Sequence, residues 1–199
     1  AKGLKAGVIY YDGQFNDSRM AVTLAMTARE KGAVVINHAE LTGFEKQGGK
    51  LCGASIRDSL SGEVIHIKAK GVINATGPFV DRLRQLDDPE ADTILEASSG
   101  IHIVLPKRFV PPDSGLLIPK TEDGRVLFIL PWQGHALVGT TDAPADITEH
   151  PRAGEEEIEY LIRHINQYFD VKVKSSDVLA AWSGLRPLVH FKDTKDTSQ

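Results

Sequence analysis

Near the C-terminal end, Ser183-Gly184-Leu185-Arg186-Pro187-Leu188 sets one arginine between a glycine and a proline, just after the apolar run Val178-Leu179-Ala180-Ala181-Trp182. A permanent cation with stiff backbone on both sides, carrying a planar fork of donors, suits a phosphate or a carboxylate. The same residues also make an ordinary turn with a surface arginine, and taken alone the stretch does not choose. His102 stands between Ile101 and Ile103, so on a strand it faces away from both. Among the seven histidines it is the best placed for substrate contact or proton transfer, because an unperturbed imidazole titrates near about pH 6.5. A histidine hydrogen-bonded inside a sheet has the same local sequence. Thr140-Thr141-Asp142 brings two hydroxyls and a carboxylate to the tip of a strand, either as ligand contacts or as a turn cap. Asn74-Ala75-Thr76-Gly77-Pro78 ends an apolar run in small residues with a proline at the first helical position. A phosphate or pyrophosphate can approach the backbone there; a tight connection with no ligand is the other reading.

Other chemistries find no support. The histidines are scattered without ligand spacing, so no metal site is expected. No G-x-S-x-G nucleophile motif occurs. Cys52 is the only cysteine, which excludes internal disulfides and cysteine-rich zinc sites. A net charge of −4 argues against a general nucleic-acid binder. No run of 18 or more apolar residues exists. With 41% hydrophobic and 25% charged residues, the 199-residue chain can bury a core as one or two domains.

The elements that must position these residues read as a mixed α/β chain. The apolar run at 6–11 is expected as a strand, and those at 33–37 and 72–77 as buried strands. Between the first two, Met20, Leu24 and Ala28 recur every four residues over 18–31, which predicts a helix with Asn16 or Asp17 as N-cap and Gly32 at its end. Residues 41–70 read as a small antiparallel meander, with strands at 51–56 and 63–69 and turns at 47–50 and 58–62. A helix follows from Pro78 to about Gln85, and 87–98 read as an acidic loop. Strands at 101–105, 115–119, 126–130 and 136–139, separated by Pro111-Pro112-Asp113, Glu122-Asp123-Gly124 and Gln133-Gly134, predict an antiparallel sheet. Glu155 to Phe169 is the clearest helix: Ile158, Leu161, Ile162, Ile165 and Phe169 share a stripe. Its first turn, Glu155-Glu156-Glu157, is ordinary helix-dipole chemistry and is given no catalytic role. No internal repeat is present.

Six separated motifs, in order, carry a resemblance: Tyr10-Tyr11-Asp12-Gly13-Gln14-Phe15-Asn16-Asp17-Ser18-Arg19, Asn37-His38-Ala39-Glu40, Asn74-Ala75-Thr76-Gly77-Pro78, Gly100-Ile101-His102-Ile103-Val104, Gly139-Thr140-Thr141-Asp142 and Ser183-Gly184-Leu185-Arg186-Pro187-Leu188. Together the chain resembles the FAD-dependent, respiratory glycerol-3-phosphate dehydrogenases over essentially its whole length. The resemblance implies part of an FAD-binding doubly wound domain at 1–86, with the meander at 41–70 inserted. It also implies an antiparallel substrate-binding cap at 87–190 and a polar tail at 191–199. It departs in lacking the G-x-G-x-x-G turn that holds the FAD pyrophosphate. The polar end, Asp193-Thr194-Lys195-Asp196-Thr197-Ser198-Gln199, suggests an internal piece of a longer enzyme that does not turn over alone.

By resemblance the reaction is oxidation of the C2 hydroxyl of sn-glycerol 3-phosphate to dihydroxyacetone phosphate, with hydride passing to the flavin and electrons to quinone. Arg186 matches the phosphate-binding arginine, and Thr141, Asp142 and Tyr11 are further substrate contacts. His102 is the catalytic candidate. His38 and Glu40 would touch the adenosine part of FAD, with Ala75, Thr76, Gly77 and Gly184 also on the cofactor. Arg19 and Asp12 pin a strand-to-helix turn. Membrane association would be peripheral, at the bacterial cytoplasmic or mitochondrial inner membrane, through regions outside this chain. Two other readings remain: a flavin oxidase of amines or amino acids with the same fold, and a non-enzymatic domain that binds an anion or a partner.

Overall fold

Strand β4 (Leu95–Pro106) shows how the sequence builds the larger sheet, because its side chains alternate between two environments. Ile101, Ile103 and Leu105 are completely buried, while His102 between them points to the opposite face. The computed structural model describes residues 6–109, 114–121 and 124–190. The Pro111-Pro112-Asp113 turn, Glu122-Asp123, the first five residues and the polar end lie outside the described residues.

Two units make up the chain, one comprising Ala75–Gln85 with the residues from Glu90 onward, the other Lys5–Asn74 with Leu86–Pro89. In the first unit, β4 is the centre of an antiparallel sheet. On one side it pairs with β7 (His135–Gly139) and β8 (Ala143–Pro144); on the other it pairs with β9 (Ala180–Val189). Strands β5 (Leu116–Ile118) and β6 (Leu127–Trp132) continue the sheet beyond β7. The acidic stretch before Ile101, expected as loop, supplies the first half of β4 from Leu95. Its polar composition misleads because only alternate residues face the core.

The buried side of this sheet packs against helix α3 (Glu155–Tyr168). Leu161, Ile162 and Ile165 meet Ile101, Ile103, Leu105, Leu127, Ile129, Ala136 and Val138 in one cluster. Each fully buried aliphatic side chain there contributes about 1.5–3 kcal/mol through removal from water. Asn166 closes the end of α3 by bonding both backbone groups of Val173, at 2.9 and 2.8 Å.

A short 3-10 turn, Gly77–Phe79, leads into α2 (Val80–Asp87) and lies beside β9. Asp81, in the first turn of α2, fastens that helix to the start of β4. Its carboxylate accepts the backbone N–H groups of Ile94 and Leu95, each at 2.9 Å, and a bond from Arg84 at 2.7 Å. Burial alone would raise this carboxyl's pKa, but the bonds from Arg84, Leu95 and Ile94 outweigh it and hold the group below the ordinary aspartate value.

In the other unit, α1 (Asp17–Glu30) starts where Asn16 caps it by accepting the Arg19 N–H at 2.9 Å. Gly32 follows with φ of 93°, the left-handed conformation expected at a helix end. A three-stranded antiparallel meander, β1 (Ala39–Gln47), β2 (Lys50–Asp58) and β3 (Val64–Lys68), realises the expected 41–70 meander and begins two residues earlier. The runs at 6–11, 33–37 and 72–77 differ from expectation. They are not strands, and Ile9, Val34 and Ile73 are almost fully exposed. A buried strand needs hydrogen-bonded neighbours and two covered faces, and these segments have neither among the described residues. The apolar stripe of α1 is uncovered in the same way, with none of its residues buried.

Candidate functional site

The face of the large sheet turned away from α3 carries the residues with chemistry. Register puts Ser98 opposite Arg186, Gly100 opposite Gly184 and His102 opposite Trp182. Directly paired residues share a face, so these six side-chain positions form one strip. Successive positions along it are about 6.7 Å apart. Arg186 therefore sits in the middle of a strand, not in the turn expected from its glycine and proline neighbours. Among the described residues β9 pairs only with β4, so its outer side is an edge where proline's missing N–H breaks no ladder.

The guanidinium leans from position 186 over Gly100. A Cβ on residue 100 would lie 2.7 Å from Nη1 and 2.5 Å from Thr140 Oγ1, so only glycine admits the group there. Three acceptors hold it. Nη2 donates to Thr140 Oγ1 at 3.0 Å and to the Thr141 carbonyl at 3.2 Å, and Nη1 donates to Asp142 Oδ1 at 3.1 Å. Ser98 Oγ also bonds that Asp142 oxygen. With three of its five donors engaged in this way, the fork is oriented while keeping donors for an incoming anion.

Thr141 takes a different place from the one its sequence position suggests. Its side chain is 1% exposed. Its hydroxyl accepts the Ile101 N–H at 2.9 Å and donates to Glu157 Oε1 at 2.6 Å. The hydroxyl thus serves the fold, and the carbonyl is what faces Arg186. Glu157 was invisible as a site residue in the sequence, because an acidic first turn of a helix is sufficiently explained by the dipole. The one signal was a glutamate at the third helical position, where capping boxes place it; its other oxygen accepts the Gly154 N–H at 3.3 Å.

His102 is positioned by two neighbours. Its ring lies over Gly139, where a Cβ would be 2.7 Å from Nε2. It stacks on Trp182 with centroids 5.7 Å apart and planes at 14°. His102 and Gly100, over which the guanidinium rests, are successive positions of the strip. An imidazole and a guanidinium at that spacing can meet a hydroxyl and an anion a few bonds apart on one small molecule.

Gly184 has nothing within 4 Å of where a Cβ would project, and neither has Gly77, whose φ is 56°. The 3-10 turn that starts at Gly77 lies beside β9. Open backbone between Trp182 and Arg186, with a positive-φ glycine turn alongside, leaves room on this face. Tyr11, His38 and Glu40 belong to the other unit. Tyr11 is almost fully exposed, His38 directly precedes β1 with φ of 55°, and Glu40 pairs with Arg57 at 2.5 Å.

The sequence profile described as FAD dependent oxidoreductase matches residues 1–196. The chain belongs to the FAD-dependent oxidoreductase family. Within it, the chain is 50% identical over 198 residues to a probable mitochondrial glycerol-3-phosphate dehydrogenase of Dictyostelium discoideum, covering 94% of this chain and 31% of that protein. It is 46% identical to the mitochondrial glycerol-3-phosphate dehydrogenase of Homo sapiens, covering 98% of this chain and 28% of the relative. The chain thus spans under a third of the length of these relatives. A solved glycerol-3-phosphate dehydrogenase from Bacillus halodurans, complexed with FAD, superposes with a TM-score of 0.80 at 32% identity, over 87% of this chain and 36% of that one. The mixed α/β class with antiparallel sheets expected from sequence is that of this family.

Proposed function

We propose that the whole protein is an FAD-dependent glycerol-3-phosphate dehydrogenase, oxidising the C2 hydroxyl to a ketone. The observation that carries this reading is the Arg186 guanidinium held over Gly100 on the same sheet face as His102. Relatives bearing that name at 46–50% identity support it. Turnover is a property of the whole protein; we assign none to these 199 residues alone.

Arg186 binds the substrate phosphate with the donors its three protein acceptors leave over, and its orientation sets the distance from the phosphate to the reacting carbon. Asp142, beside it, keeps the fork directed while the carboxylate stays in solvent. His102 takes the proton from the C2 hydroxyl, and Trp182 and Gly139 hold its ring in place for that transfer. FAD, when bound, supplies the acceptor for the C2 hydride. Ala75, Thr76, Gly77 and Gly184 are assigned to its binding, with His38 and Glu40 on its adenosine part and Tyr11 as a further substrate contact. Quinone receives the electrons in this reading. Among the described residues no helix is long and apolar enough to cross a membrane, and we assign contact with the mitochondrial inner or bacterial cytoplasmic membrane to other parts of the protein.

The test is a substrate panel on the full-length protein with an artificial electron acceptor. Oxidation of glycerol 3-phosphate with little activity on glycerol, amines or amino acids is expected. Preference for an amine or amino acid overturns the reading.

A further inference from the structure

We infer that Glu157 is a positioning residue for anion binding at Arg186, acting through the hydroxyl of Thr141. This rests on the reading of Arg186 as the phosphate-binding group. Two of the three acceptors that orient the guanidinium, the Thr141 carbonyl and Asp142 Oδ1, lie on the tip that Thr141 anchors. The Thr141 hydroxyl is buried and cannot turn to water. It is fixed from both ends, accepting from Ile101 of β4 and donating to Glu157 of α3. Capping α3 uses only Oε2 of Glu157; the bond from Oε1 to Thr141 is additional and ties the helix on one side of the sheet to the arginine on the other. Glu157 is half-buried, whereas Glu155 and Glu156 of the same turn are exposed. Losing the Glu157 carboxylate strands a buried O–H donor, frees the tip to shift, and leaves the fork misaligned for an anion with its charge unchanged.

The experiment compares wild type, Glu157→Ala, Glu157→Gln, Thr141→Val, Thr141→Ser, the pair Glu157→Ala with Thr141→Val, and Glu156→Ala, all in the full-length holoenzyme. Readouts are KM and kcat for glycerol 3-phosphate, the inhibition constant of inorganic phosphate, and Tm. Glu157→Ala and Thr141→Val are each expected to raise KM and the phosphate inhibition constant about tenfold, with kcat within about twofold. Glu157→Gln and Thr141→Ser should recover most of the loss, and the double variant should be no worse than the worse single. Glu156→Ala, which removes an equal charge from the same helix turn, should leave both constants unchanged. Unaltered constants in Glu157→Ala, additive losses in the double variant, or equal losses in Glu156→Ala overturn the proposal. Should wild type prove insensitive to phosphate and to glycerol 3-phosphate, the reading of Arg186 falls instead, and this inference with it.

Discussion

A methyl group on residue 100 would lie 2.7 Å from Nη1 of Arg186 and closer still to Nη2, so the guanidinium occupies the space that a side chain at Gly100 would fill. The absence of a side chain on β4 is what brings the cation of β9 toward His102. Gly100→Ala should therefore displace the end of a flexible arginine and shift Thr140, at modest cost to stability. The expected result is a KM for glycerol 3-phosphate raised about tenfold or more in the full-length enzyme, with Tm lowered by only a few degrees. Steady-state kinetics and thermal melts check both parts.

Arg186 itself should separate charge from geometry. Charge-assisted contacts of this kind are worth about 1.5–3 kcal/mol, so Arg186→Ala should raise KM about 10- to 150-fold. Arg186→Lys keeps the charge but cannot serve three acceptors in a plane while reaching an anion. It is expected to recover only a minor part of the loss, measured as KM at constant ionic strength.

Gly139→Ala acts on the other end of the strip. Its methyl would meet the His102 ring, with Nε2 at 2.7 Å, and must push it off Trp182. A fall in kcat of about 10²-fold is expected, with KM changed far less. A changed indole fluorescence from Trp182 should accompany it.

Asp81 predicts a pH dependence of stability. Its folded pKa is lowered, by bonds that outweigh burial, so the unfolded chain binds the proton more readily. The stabilisation is therefore complete above the unfolded value of about 3.9 and disappears as pH falls through the lower, folded value. Asp81→Asn should destabilise the full-length protein at neutral pH. The gap from wild type should narrow as pH falls through the folded value in denaturant titrations.

Some of this was legible in the residues alone. The stripe on α3 and the meander turns follow from periodicity and turn chemistry, and the facing direction of His102 follows from its isoleucine neighbours. Other features lay beyond local pattern. Glycine and proline around Arg186 read as a turn because sequence does not say that a strand is an edge. The apolar runs at 6–11, 33–37 and 72–77 state a need for cover on two faces without naming what supplies it. The link from Glu157 to Thr141 joins residues 16 positions apart, and a glutamate in a first helical turn has a local explanation that hides a second one.

The alternation along β4 makes that strand behave like a reading frame. From Ile101 to Leu105 the odd positions are aliphatic and face α3, and the even ones face the other side. Inserting or deleting one residue between Ser98 and Leu105 would turn His102 into the core and an isoleucine into the strip. Length changes are thus confined to the loops at either end. New chemistry on this face can arise only by substitution at every second residue, a grammar that lets specificity drift while the core stays spelled as it is.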